Sequence, residues 1–80
     1  MTVGEAVRRR ILNICAERGI TVNKLATMSG VTQSKVNNIV SGRNGSTTVS
    51  TVKKLCDGLD MSIVDFFDSP EFENLEQELK

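Results

Sequence analysis

The sequence predicts an all-α domain of five helices followed by a short, acidic terminal helix. Three observations carry this expectation. Apolar residues recur at intervals of three and four along the 80 residues, and no alternating run of the strand kind occurs. A Ser or Thr precedes each apolar-periodic segment, where its side-chain oxygen can accept a free helix N–H. Gly19, Gly30 and Gly42 follow the first three segments, at the point where a left-handed residue ends a helix. A chain of this length is near the lower limit at which one hydrophobic core holds without disulfides or metals.

Thr2 and Glu5 make a capping box, and Val7, Ile11, Ile14 and Cys15 form the apolar stripe of a first helix over about 3–18. Thr21 caps a second helix carrying Leu25, Ala26 and Met28, which must be short because Gly30 and a new cap, Thr32, follow at once. The third helix covers about 33–41, with Val36, Ile39 and Val40 on one face. The polar run RNGST (43–47) is a loop, and Thr48 caps a fourth helix with Val49, Val52, Leu55, Cys56 and Leu59 on one face. Ser62 and Asp65 repeat the capping spacing for a short fifth helix holding Ile63, Phe66 and Phe67. Ser69, Pro70 and Glu71 supply an N-cap, a proline at the first helical position and an acid in the first turn, which predict a sixth, terminal helix with Phe72, Leu75 and Leu79 as its stripe. The chain thus divides into a domain over 1–68 and an acidic amphipathic segment over 69–80.

The formal net charge of zero conceals a strong asymmetry. Residues 1–54 carry nine basic side chains against Glu5 and Glu17, hence +7, whereas residues 55–80 carry eight acids against Lys80, hence −7. A basic body with an acidic end fits a polyanionic partner, although a solvated charge distribution with no partner gives the same count. Arg8, Arg9 and Arg10 are consecutive on a helix and cannot all point one way. Cys15 and Cys56 sit among apolar residues, and without a signal peptide or a long apolar run the chain reads as cytoplasmic, with reduced thiols and no membrane contact. With two cysteines and no histidine, a zinc site is not expected. With no histidine, tyrosine or tryptophan and no clustered nucleophile, neither an enzyme nor a cofactor is expected.

The second and third helices, two to three turns each and joined tightly through Gly30, have the geometry of a helix-turn-helix. Ala26 is small where the two would cross, and Gly30 supplies the positive φ of the turn. At about 100° per residue, with Val36, Ile39 and Val40 inward, Ser34, Asn38 and Ser41 lie most nearly opposite, Asn37 flanks them, and Gln33 reaches out from the helix end. None of these is charged. Asn and Gln amides pair bidentately with adenine N6 and N7, and Ser serves several bases, so a base-reading face needs no charge. Lys35, Arg43, Asn44 and the free N–H groups behind Thr21, Thr32 and Thr48 suit phosphates. The competing reading, an ordinary solvated helix face, is disfavoured because such faces prefer Glu and Lys to Asn and Ser.

In this order and spacing, GITVNKLATMSGVTQSKVNNIVSGRN (19–44) resembles the helix-turn-helix of the Cro and phage-repressor-like family, also called the xenobiotic-response-element family. The similarity extends over about residues 5–67. It implies a five-helix, lambda-repressor-like domain whose third helix enters the major groove of double-stranded DNA, in a dimeric transcriptional regulator, a repressor of the phage or mobile-element kind, on a palindromic operator. Carried over by position, base reading falls to Gln33, Ser34 and Asn38, with Asn37 beside them, and Thr32 is the cap that touches phosphate. Val22 stands where the family commonly has a phosphate-binding Gln, so that contact is either missing or supplied by Thr21 or Asn23. Ser41 and Thr48 complete the expected phosphate set with Lys35, Arg43 and Asn44. Many antitoxins share this fold, so a module that binds a partner protein, or a second copy, through Phe72, Leu75 and Leu79 is the alternative.

Overall fold

Hydroxyl side chains open every α-helix of the computed structural model, which describes residues 1–42 and 47–79. The helices are α1 (Val3–Arg18), α2 (Val22–Ser29), α3 (Gln33–Ser41), α4 (Val49–Gly58) and α5 (Ile63–Phe67). Thr2, Thr21, Thr32, Thr48 and Ser62 accept the N–H of the residue three positions on, at 3.2, 3.0, 3.2, 3.1 and 2.9 Å respectively. Each such cap stabilises a helix start by about 1 kcal/mol. Short helices like α2 and α3 depend on it, because they have few intrahelical bonds to offset nucleation. At Gly30, φ is +68°. That left-handed residue turns the chain from α2 into α3 within a few residues.

The core is one cluster drawn from all five helices: Val7, Ile11, Ile14, Cys15, Leu25, Ala26, Val36, Ile39, Val52, Leu55, Cys56, Leu59 and Phe66. The predicted stripes supply nearly all of it. α2 packs against α3 on one side and α4 on the other, and Ala26 is fully buried there. At the α2–α4 crossing Gly58 comes so close to Ser29 that a Cβ on it would meet Ser29 Oγ at 2.2 Å. That hydroxyl is buried and has no hydrogen-bond partner among the described residues.

Two arginines of α1 tie the later helices down. Arg10 donates from Nε to Phe66 O (2.8 Å) and from Nη2 to Asp65 O (3.0 Å), with its guanidinium 5.9 Å from the Phe66 ring. Arg18 donates from Nη1 to Leu59 O just past the end of α4. Both cations thereby meet carbonyls at helix C-termini, where the backbone dipoles favour positive charge.

Two expectations need correction. Val49 is 68% exposed, not part of the core face. As the first residue of α4 it lies at the mouth of a small apolar groove of about 130 Å³ lined also by Val3, Val7, Val52 and Phe67. The expected terminal helix is a single 3₁₀ turn, Pro70–Phe72, with no further helix to residue 79. Ser69 makes no capping bond; its hydroxyl donates to the Glu71 carboxylate. Phe72 packs on the Phe66 and Phe67 rings at centroid distances of 5.9 and 4.8 Å. Asn74 then takes a left-handed φ of +61°, which breaks the helical path. Phe72, Leu75 and Leu79 therefore form no stripe: Phe72 lies against the core, Leu75 is half-buried and Leu79 is 86% exposed.

Candidate nucleic-acid interface

α3 is anchored by Val36 and Ile39, and this fixes which way its remaining side chains point. Gln33, Ser34, Lys35, Asn37 and Ser41 are exposed and Asn38 is half-buried. The Ser41 hydroxyl donates back to Asn38 O at 3.2 Å, so it belongs to the end of its own helix as much as to the surface. Asn37 donates from Nδ2 to Asn23 Oδ1 at 3.2 Å, joining the base-reading candidate on α3 to the phosphate candidate on α2.

The threonine caps at Thr21 and Thr32 are both exposed. Their oxygens accept backbone N–H groups, which leaves each hydroxyl proton free to donate outward. Thr48 differs, because its hydroxyl also lies 2.9 Å from that of the buried Thr51. Val22, in the position of the family's glutamine, packs against the core instead. Arg43 and Asn44 lie outside the described residues.

The three consecutive arginines separate. Relative to the buried stripe of Val7, Ile11 and Ile14, a helix places Arg8 on one flank, Arg10 on the other and Arg9 away from the core. Arg10 serves α5, as described, and Arg9 pairs with Glu5 at 3.4 Å. Arg8, 3.8 Å from the same Glu5 oxygen, lines a cleft of about 410 Å³ between the start of α1 and the end of α3, together with Ile39, Ser41 and Gly42. Arg8 is thus the one member of the triplet beside α3, a placement that the helical wheel contains but that charge counting does not show.

A model of the Cro/C1-type helix-turn-helix DNA-binding domain matches residues 10–71, which contain all of α2, α3 and the turn between them. The chain belongs to the Cro/C1-type helix-turn-helix DNA-binding family. Among solved structures it is similar to the crystal structure of the prophage Lp1 protein 11, with 35% sequence identity, a TM-score of 0.80, and coverage of 94% of this chain and 99% of that one. No curated protein sequence matches it. The matched domain is a DNA-binding one, and α2 and α3 with the turn between them lie wholly inside the match. Among the described residues no helix is long and apolar enough to cross a membrane, and no group of three or more His, Cys, Asp or Glu side chains is placed to hold a metal ion.

Proposed function

We propose that this chain is a cytoplasmic, sequence-specific transcriptional regulator, a repressor that binds a palindromic operator as a homodimer with α3 in the major groove. The observation that carries the reading is the composition of the anchored helix. Val36 and Ile39 are buried, while Gln33, Ser34, Asn37 and Asn38 offer amides and a hydroxyl and no acid. These four read base edges; Lys35, Thr21, Asn23, Thr32, Ser41, Thr48, Arg43 and Asn44 grip phosphates on either side. Residues 1–68 form the binding domain and 69–80 an appended segment. Neither enzymatic activity nor a cofactor is part of this function.

Dimerisation is supported by apolar surface away from α3. Val64 and Phe67 lie one turn apart on α5 and are 72% and 37% exposed, and Phe67 continues into the groove beside Val49. A second copy seated there would cover them. The alternative of a protein partner held through the tail is narrowed to Leu75 and Leu79, since Phe72 is engaged by the core.

Selection of duplexes from a random pool tests the reading. The expected product is a palindromic consensus whose half-sites are about one helical turn, roughly 34 Å, apart. Asn38→Ala should weaken binding to it by about 1–3 kcal/mol, and affinity should fall steeply with salt. Absence of enrichment, or salt-independent binding, refutes the proposal.

A further inference from the structure

The acidic tail past α5 is fastened to one particular side of α1. The Glu71 carboxylate accepts a hydrogen bond from Asn13 Nδ2 at 2.7 Å, well inside that helix. Glu76 then donates its backbone N–H to Met1 O at 3.0 Å, ahead of the helix start. From Asn13 back to Met1 is about 18 Å at 1.5 Å per residue, close to the reach of about 17 Å for the extended chain between residues 71 and 76. The tail therefore lies along α1 as a strap with little slack. Asn13 is about 140° around the helix from Arg8, at 100° per residue, and Arg8 lines the cleft against the end of α3. The strap thus follows the flank of α1 turned away from α3.

That flank is where the other two arginines of the triplet lie, and Glu71 shares a shallow hollow with both. Arg10 donates to two backbone carbonyls, which carry no net charge to offset its own. The Arg9 side chain is 53% exposed and pairs with Glu5 at the surface, a contact worth little in water. Residues 1–68 carry nine basic and six acidic side chains, hence +3, and residues 69–80 carry four acids and Lys80, hence −3. A duplex is drawn to grouped cations whatever its sequence. We propose that the strap is an electrostatic shield: its carboxylates, held along α1, keep DNA off Arg9 and Arg10 and leave the α3 side as the face that attracts it. The folded chain measures 36 × 24 × 21 Å, so the strap stands about two Debye lengths from a duplex on α3 at 0.1 M salt and suppresses binding at the back with little effect at the front. The shield rests on the proposed binding through α3 and adds to it how the opposite side is kept from competing.

The test compares the full chain with a triple variant, Glu73→Gln, Glu76→Gln and Glu78→Gln, on a short mixed-sequence duplex and on the selected consensus duplex. All three side chains are exposed, and Glu76 is fastened through its backbone N–H, so the strap stays in place. At low salt, the triple variant should bind the mixed duplex about tenfold more tightly, and the salt dependence should steepen by about one phosphate contact for each arginine uncovered. Binding to the consensus should change by less than about twofold, because the strap is remote from α3. Arg9→Ala should have little effect in the intact chain and should remove a large part of the gain in the triple variant. Equal tightening on both duplexes means that net charge alone acts, and overturns the shield. So does an Arg9→Ala loss of the same size in both backgrounds, or no tightening on the mixed duplex. A chain that binds no duplex even at low salt overturns the operator reading and the shield with it.

Discussion

Replacing Gly58 with alanine measures how tightly α2 is held against α4. Gly58 is the last residue of α4 and has ordinary helical backbone, so on propensity alone the alanine should stabilise by up to about 1 kcal/mol. The packing opposes this. The added Cβ would stand 2.2 Å from Ser29 Oγ, 2.9 Å from Ser29 Cα and 3.0 Å from Ser29 Cβ. Rotation of the hydroxyl relieves the first clash, but the second involves backbone, and only a parting of the two helices relieves it. Overpacking against backbone belongs in the upper part of the range of about 1–3 kcal/mol, which leaves a net loss of about 1–2 kcal/mol. Urea unfolding followed by circular dichroism should therefore show the midpoint falling by about 1–2 M, taking a slope near 1 kcal/mol/M for so small a domain. Ser29→Ala alone removes a buried hydroxyl that has no partner among the described residues and should be neutral or slightly stabilising. Combined with the alanine at 58 it should recover part of the loss, since the clash with the backbone of residue 29 persists. A rise in the midpoint for Gly58→Ala would refute the reasoning.

Arg10→Ala removes two charge-assisted bonds to the end of α5 and should destabilise by about 2 kcal/mol, with Arg10→Lys recovering only part because a lysine cannot fork between Phe66 O and Asp65 O; an unchanged melting temperature would count against the tie. Hydrogen bonds from Ser69 and Asn13 hold the Glu71 carboxyl below the usual glutamate range. Its folded value is depressed, so the stability it contributes is present above the unfolded pKa and is lost as pH falls through the folded one. Titration below about pH 5 should then loosen the 3₁₀ turn, seen in the Phe72 ring signals by NMR, and Glu71→Gln should flatten the response; identical titrations would dismiss it. Burial raises both thiol pKa values, which lowers the reactive thiolate fraction at neutral pH. A thiol-specific disulfide reagent should leave Cys15 and Cys56 untouched in the native protein and label both in urea, and rapid native labelling would contradict their placement.

Local chemistry was legible in the sequence. Thr2, Thr21, Thr32, Thr48 and Ser62 start helices because their hydroxyls meet an N–H three residues away, and nothing distant is needed to see it. The outward face of α3 followed in the same way from the period of Val36 and Ile39, which are buried, and Val40, which is half-buried. What escaped was set by tertiary position. Pro70 does begin a helical turn, as its local signals imply, but docking of Phe72 on two other phenylalanines and the left-handed Asn74 stop it after three residues. Val49 begins an apolar stripe by its spacing, yet at the start of α4 it stays mostly exposed at the mouth of a shallow groove. Gly58 sits where two helices touch, which nothing local in the sequence marks. The link from Asn23 to Asn37 has no sequence signature, because it joins residues 14 apart.

The two guanidinium ties of α1 bear on how this domain can be taken apart. Arg18 reaches Leu59 and Arg10 reaches Phe66, so the first helix closes a chain that runs out through α2 and α3 and back. Leu25 and Ala26, which steady α2, share one core with residues of α1 and α4. A peptide cut out at 19–44 would expose that apolar surface and lose both flanking supports, and should be disordered in water. The pair is therefore not a portable cassette. Transfer of the proposed specificity to another scaffold calls for grafting the outward side chains of α3 onto a complete five-helix relative.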